Sequence, residues 1–273
     1  MASGRQYSPV PSGGGPTSIS RKPTARLIAT LWALAILLST IGIIAAVGRT
    51  HVVTTAGGRA PGAMSPFDSI ASELVISMQG WTSPKDRAAY IAFEHSFADR
   101  WNAHPRYALL HLVPGVLMLL LMPLQFVRRI RERHVRVHRW SGRLILTLGA
   151  GVAISAFYFG VWIPFVPGVE RLIIVTIDAA FVFFATRGFL AIRRKDVEEH
   201  RRWMIRAYAV VGAVASVRIV ALPLVLFFRA PEQASAALMT SFVVGWLLTL
   251  GGAEWWLRRA PEAPRAPEQA TLA

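Results

Sequence analysis

Residues 27–48 read LIATLWALAILLSTIGIIAAVG and contain no Asp, Glu, Lys or Arg. At about 1.5 Å per residue, a helix of this length crosses the roughly 30 Å of hydrocarbon in a bilayer. The sequence therefore predicts an all-α, polytopic membrane domain at 27–257. It is flanked by a Gly-, Pro- and Ser-rich tail at 1–26 and a Pro- and Ala-rich tail at 258–273, and both tails should be disordered. Its six transmembrane helices are predicted from apolar stretches at 27–48, 107–127, 144–169, 172–192, 203–228 and 235–257.

The composition is typical of an integral membrane protein. Hydrophobic residues make up 53% of the chain and charged residues only 16%, which is too few for a soluble domain of 273 residues. The chain has no cysteine, and this excludes disulfides, thiolate metal sites and cysteine nucleophiles.

The basic residues are distributed unevenly between the two sides of the predicted bundle. One side holds 19 Lys or Arg against 6 Asp or Glu, in segments 1–26, 128–143, 193–202 and 258–273. The other side holds 8 against 7, in segments 49–106, 170–171 and 229–234. By the positive-inside rule, both termini are predicted to be cytoplasmic. The net charge of +15 then reflects this orientation and contact with anionic lipid, and no nucleic-acid partner is expected. A bacterial inner membrane is the expected location of this multi-pass protein.

The outer insertion, 49–106, is predicted to contain one short amphipathic helix. Its first half, which includes GGRAPGAMSP, is typical of a loop. A helix then begins at Ser83, with Pro84 in the first helical position, and it ends before Pro105. The helix carries an aromatic stripe and should lie on the bundle or on the membrane surface, through Tyr90, Phe93, Phe97 and Trp101.

Charged residues within the predicted spans are candidates for function, because a charge in hydrocarbon is costly. Asp178 lies roughly 9 Å and Arg218 roughly 15 Å from the outer end of their helices, so the two are predicted to pair. The pair is either an interhelical clamp or part of a substrate, proton or cofactor site. Near the inner boundary, Arg187, Arg206 and Glu254 form a predicted polar cluster. Alternatively, these residues form no functional cluster: the arginines snorkel into the lipid headgroups, and one ordinary ion pair forms.

The histidines suggest a cofactor. His138 and His200 lie at matching inner depth on different helices, where two imidazoles can bind one b-type haem axially. Arg139 and Arg201 would then lie near the propionates. His111, near the outer end of the second span, would serve an outer site or a proton path. Alternatively, His138 and His200 are simply histidines of basic loops at the headgroup interface. No zinc-binding motif is present, so no metal other than a haem iron is expected.

Several segments together resemble a bacterial family of predicted membrane proteins, domain of unknown function 2306. The resemblance covers roughly 104–259. It is carried by HPRYALLHLVPGVLMLLLMPLQF at 104–126, HRWSGRL at 138–144, RRKDVEEHRRWMIRAYA at 193–209, VRIVALPL at 217–224 and AEWWLRR at 253–259.

This resemblance implies a multi-helix integral membrane protein and brings no established activity. The chain is also broadly similar, at the level of fold, to membrane b-type cytochromes, although the spans lack a fourth histidine for a second haem. Two classes of function follow. One is a haem-binding membrane redox or electron-transfer protein, and the other is a non-enzymatic transporter, sensor or assembly partner with a structural polar core.

Overall fold

The computed structural model describes residues 25–55 and 61–259, and some side chains of the first and eighth helices, including that of Arg218, lie outside this description. No strand occurs in the described residues, which confirms the all-α prediction. Their α-helices are α1 (Ala25–Thr55), α2 (Pro66–Gln79), α3 (Pro84–Asn102), α4 (Pro105–Phe126), α5 (Arg128–Arg133), α6 (Val135–Phe157), α7 (Val169–Arg193), α8 (Val197–Phe227) and α9 (Ala234–Arg259).

Four helical segments of the described residues are long enough and apolar enough to cross a membrane. They are Pro105–Phe126, Val135–Trp162, Val169–Arg193 and Pro231–Arg259, and they correspond to the second, third, fourth and sixth predicted spans. The first and fifth predicted spans lie in α1 and α8, which are helices of 31 residues each.

The helix ends differ from the predicted span ends. The third span was predicted at 144–169, whereas α6 begins at Val135 and continues through a π-helical turn, Tyr158–Trp162. Pro164 and Pro167 follow this turn and cannot donate backbone hydrogen bonds, so the chain leaves helical geometry there. Helices α1 and α9 each reach two residues into the predicted tails, and the remainder of both tails lies outside the described residues.

The predicted outer insertion contains two helices. The predicted loop is shorter than its first half, because α1 extends to Thr55 and α2 begins at Pro66, while residues 61–65 are non-helical as predicted. Helix α2 begins after Ser65, whose hydroxyl accepts a hydrogen bond from the Asp68 backbone N–H, and Pro66 occupies its first turn. Helix α3 begins after Ser83, with Pro84 in its first turn, as predicted. Its aromatic stripe packs on the bundle, because Phe93 and Phe97 contact the Phe165 ring and Trp101 contacts Phe159.

The long helices pack in two groups, which meet where α1 contacts α8 and where α6 contacts α7. Helix α4 lies between α1 and α6, while α8 lies between α7 and α9. A buried cluster of Phe181, Ala213 and Trp246 joins α7, α8 and α9. A second cluster joins α4, α6 and α8 through Met118, Met122, Ile145, Met204 and Tyr208. This second cluster lies within about two helical turns of the predicted inner histidines, His138 and His200.

Candidate functional site

His200 lies in the first turn of α8 and is fixed by α7. Its Nδ1 lies 2.8 Å from the Gly188 carbonyl oxygen. A carbonyl only accepts hydrogen bonds, so Nδ1 carries a proton, and the neutral form of the ring would have its lone pair at Nε2. Gly188 permits this approach, because a Cβ at that position would lie only 2.7 Å from Met204 Sδ. The ring therefore has a defined tautomer and a second nitrogen that can bind a ligand.

His138 lies in the first turn of α6, inside the helix and not in a loop before it. Its Nδ1 is buried and has no hydrogen-bond partner among the described residues. The ring is within electrostatic range of His200, Arg131 and Arg139. Seven residues after His138, Ile145 packs in the same cluster as Met204 and Tyr208, which follow His200 by four and eight residues. The two histidines therefore lie at the same end of one contact between α6 and α8.

The two arginines predicted to accompany these histidines differ in their surroundings. Arg139 is exposed, and no carboxylate pairs with it among the described residues. Arg201 is half-buried, and its Nη1 donates to Glu198 Oε1 at 3.4 Å. Both side chains remain available to an anionic group at the inner face, because a contact of 3.4 Å between partly exposed groups is weak.

The predicted inner cluster of Arg187, Arg206 and Glu254 is divided between two carboxylates. Arg206 makes two hydrogen bonds to Glu254, at 2.5 and 3.0 Å, and so links α8 to α9. Arg187 instead donates to Glu199 at 3.1 Å. The Trp203 ring lies between these contacts, with the two guanidinium carbons 5.1 and 4.9 Å from its centroid.

Glu199 is the central acceptor at the inner end of α7 and α8. It accepts hydrogen bonds from Trp203 Nε1, Arg187 and Arg194. These three donors lower the pKa of Glu199 to about 2, because each stabilises the carboxylate form. Sequence reasoning missed Glu199 because it lies in a charged segment that was assigned to the solvated inner face.

The outer histidine, His111, belongs to a polar stripe along α4. His104, His111, Met118 and Gln125 are spaced seven residues apart. His104 Nδ1 meets the Tyr158 hydroxyl at 3.2 Å, and His111 Nδ1 meets the Ser155 hydroxyl at 3.1 Å.

Gln125 continues this stripe at the inner end, where its amide donates to Ser141 Oγ at 2.6 Å. The hydrogen-bond partners of His104, His111 and Gln125 all lie on α6 or on the π-helical turn that follows it. A seven-residue spacing keeps one face of α4 toward one neighbour. The seven-residue spacing is visible in the sequence and could have indicated this face of α4.

One family matches more than half of the chain. The match covers residues 108–256, and the family is described as Predicted membrane protein (DUF2306). The chain belongs to this family. No curated protein and no solved structure matches this chain.

The DUF2306 region contains every residue of the inner site. It begins within α4 and ends within α9, so His138, His200 and the Arg206–Glu254 pair are inside it, as is His111. Helices α1, α2 and α3 lie outside it. The family match therefore covers the bundle helices from α4 to α9, but not α1 or the helices α2 and α3 of the insertion.

The predicted Asp178–Arg218 pair falls partly outside the described side chains. Asp178 lies on α7 and is half-buried, and its Oδ2 is buried without a hydrogen-bond partner among the described residues. The side chain of Arg218 is one of those that lie outside the description. The pairing therefore stays a prediction.

Two buried ion pairs at the outer face were not predicted. Arg100 of α3 pairs with Glu170 of α7 at 2.6 Å, and Arg49 of α1 pairs with Asp68 of α2 at 2.5 Å. Arg49 and Glu170 are buried, and the Arg100 side chain is only 11% exposed. Sequence reasoning placed these residues in an exposed outer segment, where charges are ordinarily solvated. No signal in the sequence distinguished them from Arg87 or Glu73, which are exposed.

Within residues 25–55 and 61–259, no group of three or more His, Asp or Glu side chains is arranged to hold a metal ion. A haem iron in a bundle needs only two axial protein ligands, since the porphyrin supplies the other four. The inner histidines are therefore the pair to consider.

Proposed function

We propose that this DUF2306 protein is a haem-binding membrane redox protein with its haem site at the inner face. The observation that carries the proposal is the buried Nδ1 of His138, which has no described hydrogen-bond partner and lies within electrostatic range of His200. A buried polar nitrogen without a partner is unfavourable, and coordination to a metal would satisfy it.

His138 and His200 would hold such a haem, and it would supply one-electron transfer. His200 is suited to ligation, because its hydrogen bond to the Gly188 carbonyl fixes the ring tautomer and orientation. Arg139 and Arg201 carry positive charge at the same end of α6 and α8, where they would neutralise propionates. The buried cluster that contains Met204 and Tyr208 packs α8 against α4 and α6 next to these histidines, and it would exclude water from that side of the site.

The second candidate is a non-enzymatic membrane protein with a structural polar core: a transporter, a sensor or an assembly partner. It is favoured by the inner ion pairs, since Arg187, Arg194 and Arg206 already have carboxylate partners. In this alternative His200 serves only to join α7 to α8.

An absorbance spectrum of the purified protein tests the proposal. The protein is expressed with added haem precursor, and the spectrum of the reduced protein is compared with that of the oxidised protein. We expect a Soret band with sharp α and β bands in the reduced protein. Both His138→Ala and His200→Ala should abolish these bands. The control is His134→Ala, which removes an exposed imidazole from the residue that precedes α6.

Circular dichroism and gel filtration show whether each variant is folded. A colourless wild-type protein, or spectra that survive both substitutions, would refute the haem proposal and favour the structural alternative. Loss of the bands in His134→Ala as well would show that the effect is not specific to the predicted ligands.

A further inference from the structure

An open groove lies on the outward surface of α6 near its inner end. Arg136, Val137, Trp140, Ser141 and Leu144 line it, and its volume is about 530 Å³. The apolar members are strongly exposed, with 68% of Trp140 and 49% of Val137 accessible. Their spacing of three, four and seven residues puts them on one face of the helix.

The arginines beside this groove are unpaired in the described part of the chain, unlike three arginines at the inner ends of α7 and α8. Arg143 lies over the Trp140 ring, with its Cζ 5.1 Å from the centroid. Arg136, which lines the groove, is exposed like Arg143, and neither arginine pairs with a carboxylate among the described residues. By contrast, Arg187, Arg194 and Arg206 have carboxylate partners.

We infer that this groove binds one anionic phospholipid. The exposed Val137, Trp140 and Leu144 provide the apolar surface that an acyl chain needs. Unpaired arginines beside them provide the positive charge that a phosphate headgroup needs, and arginine binds phosphate in a bidentate geometry. A zwitterionic lipid would fill the same apolar surface without compensating these charges. The inference rests on the proposed orientation only for the leaflet that supplies the lipid.

Fluorescence quenching by lipids with brominated acyl chains tests the site. Purified protein in mixed detergent micelles is titrated with phosphatidylglycerol or phosphatidylcholine of identical chains. We expect phosphatidylglycerol to quench at lower concentration. The part of the quenching due to the groove should be missing in Trp140→Phe. If Trp140→Phe is quenched as strongly as the wild type, the lipid does not occupy this groove and the inference is wrong.

Charge variants identify the headgroup contacts. The double variant Arg136→Gln, Arg143→Gln should lose affinity for phosphatidylglycerol by roughly fivefold per arginine, with little change for phosphatidylcholine. The double lysine variant keeps the charge and should retain most of the affinity. Arg128→Gln is the control, because Arg128 is equally basic and close in the chain but is paired with Glu132.

Two other results would overturn the inference: equal affinity for the two lipids, or an equal loss in the Arg128→Gln control. Inorganic phosphate at the lipid's concentration should not displace the lipid, since it cannot occupy the apolar groove. Displacement by phosphate would mean that the arginines bind a free anion. Micelles present lipid to both faces, and the readout does not involve haem. Failure here is therefore distinct from failure of the redox proposal or of the proposed orientation.

Discussion

Asp178 is the residue whose partner matters most for the bundle interior. Its Oδ2 is buried without a hydrogen-bond partner among the described residues, and Arg218 on the neighbouring helix α8 is the predicted partner. Removing one member of a buried ion pair typically costs ~3–5 kcal/mol, because the other charge stays buried and unpaired. We therefore expect Arg218→Ala to lower the stability of the detergent-solubilised protein by about this amount.

Arg206→Ala is the matched comparison for this prediction. Arg206 pairs with Glu254, but 39% of the Glu254 side chain is exposed, so water can solvate the carboxylate that remains. The loss should therefore be smaller than for Arg218→Ala. Asp178→Asn combined with Arg218→Gln should recover part of the stability. Additive losses in the double variant would show that Asp178 and Arg218 do not interact.

Single residues show what the sequence could and could not predict about the site. The depth of His138 and His200 followed from counting residues from the helix ends, and both lie at the inner end of α6 and α8. The hydrogen bond from His200 to the Gly188 carbonyl could not be counted in this way. It depends on the close approach of α7 and α8 at Gly188, which is a property of packing.

Helix α3 is joined to α7 by the Arg100–Glu170 pair. The side chains are only 11% and 7% exposed, and the Arg100 guanidinium lies 5.2, 5.7 and 5.9 Å from the ring centroids of Phe97, Phe159 and Phe165. Glu170 also accepts hydrogen bonds from two backbone N–H groups, at residues 165 and 166. This contact orders the outer loop and holds α3 on the bundle.

We expect Glu170→Ala to destabilise the protein by ~3–5 kcal/mol, because it leaves the buried Arg100 charge without a partner. The control is Glu73→Ala, which breaks the Arg87–Glu73 pair, with side chains that are 47% and 55% exposed. Exposed pairs contribute only ~0–1 kcal/mol. Thermal unfolding in detergent measures both variants. Equal losses would mean that the burial of the Arg100–Glu170 pair has no energetic consequence.

At the level of elements, both helices of the outer insertion could be predicted from a short sequence motif. The motif Ser83-Pro84-Lys85-Asp86 begins α3, and the same pattern, Ser65-Pro66-Phe67-Asp68, begins α2. The second occurrence was overlooked because it follows a Gly- and Pro-rich stretch. The extent of α6 was harder to predict, since a helix extends beyond the hydrocarbon wherever its polar end is solvated. Apolar length alone cannot locate that end.

For the whole molecule, composition and apolar length predicted the helical class, and four candidate spans agree with the predicted positions. These features are one-dimensional, so a sequence can report them. The arrangement of α4 between α1 and α6, and of α8 between α7 and α9, depends on contacts between residues far apart in the chain. No periodicity in the sequence indicated this arrangement.

The six-span orientation is the remaining prediction for the whole molecule. Inner segments hold 19 Lys or Arg against 8 in outer segments, and basic residues near helix ends resist translocation. We expect reporter fusions after Arg194 and after Ala270 to report the cytoplasm, and a fusion after Gly80 to report the outside. Gly80 ends α2 and Arg194 follows α7, so these fusions leave the preceding helices intact. Immunoblots of each fusion control for expression.

An outside signal after Ala270 together with a cytoplasmic signal after Arg194 would mean that α8 and α9 cross the membrane an odd number of times. Since α9 is long and apolar enough to span, α8 would then be the helix that does not cross.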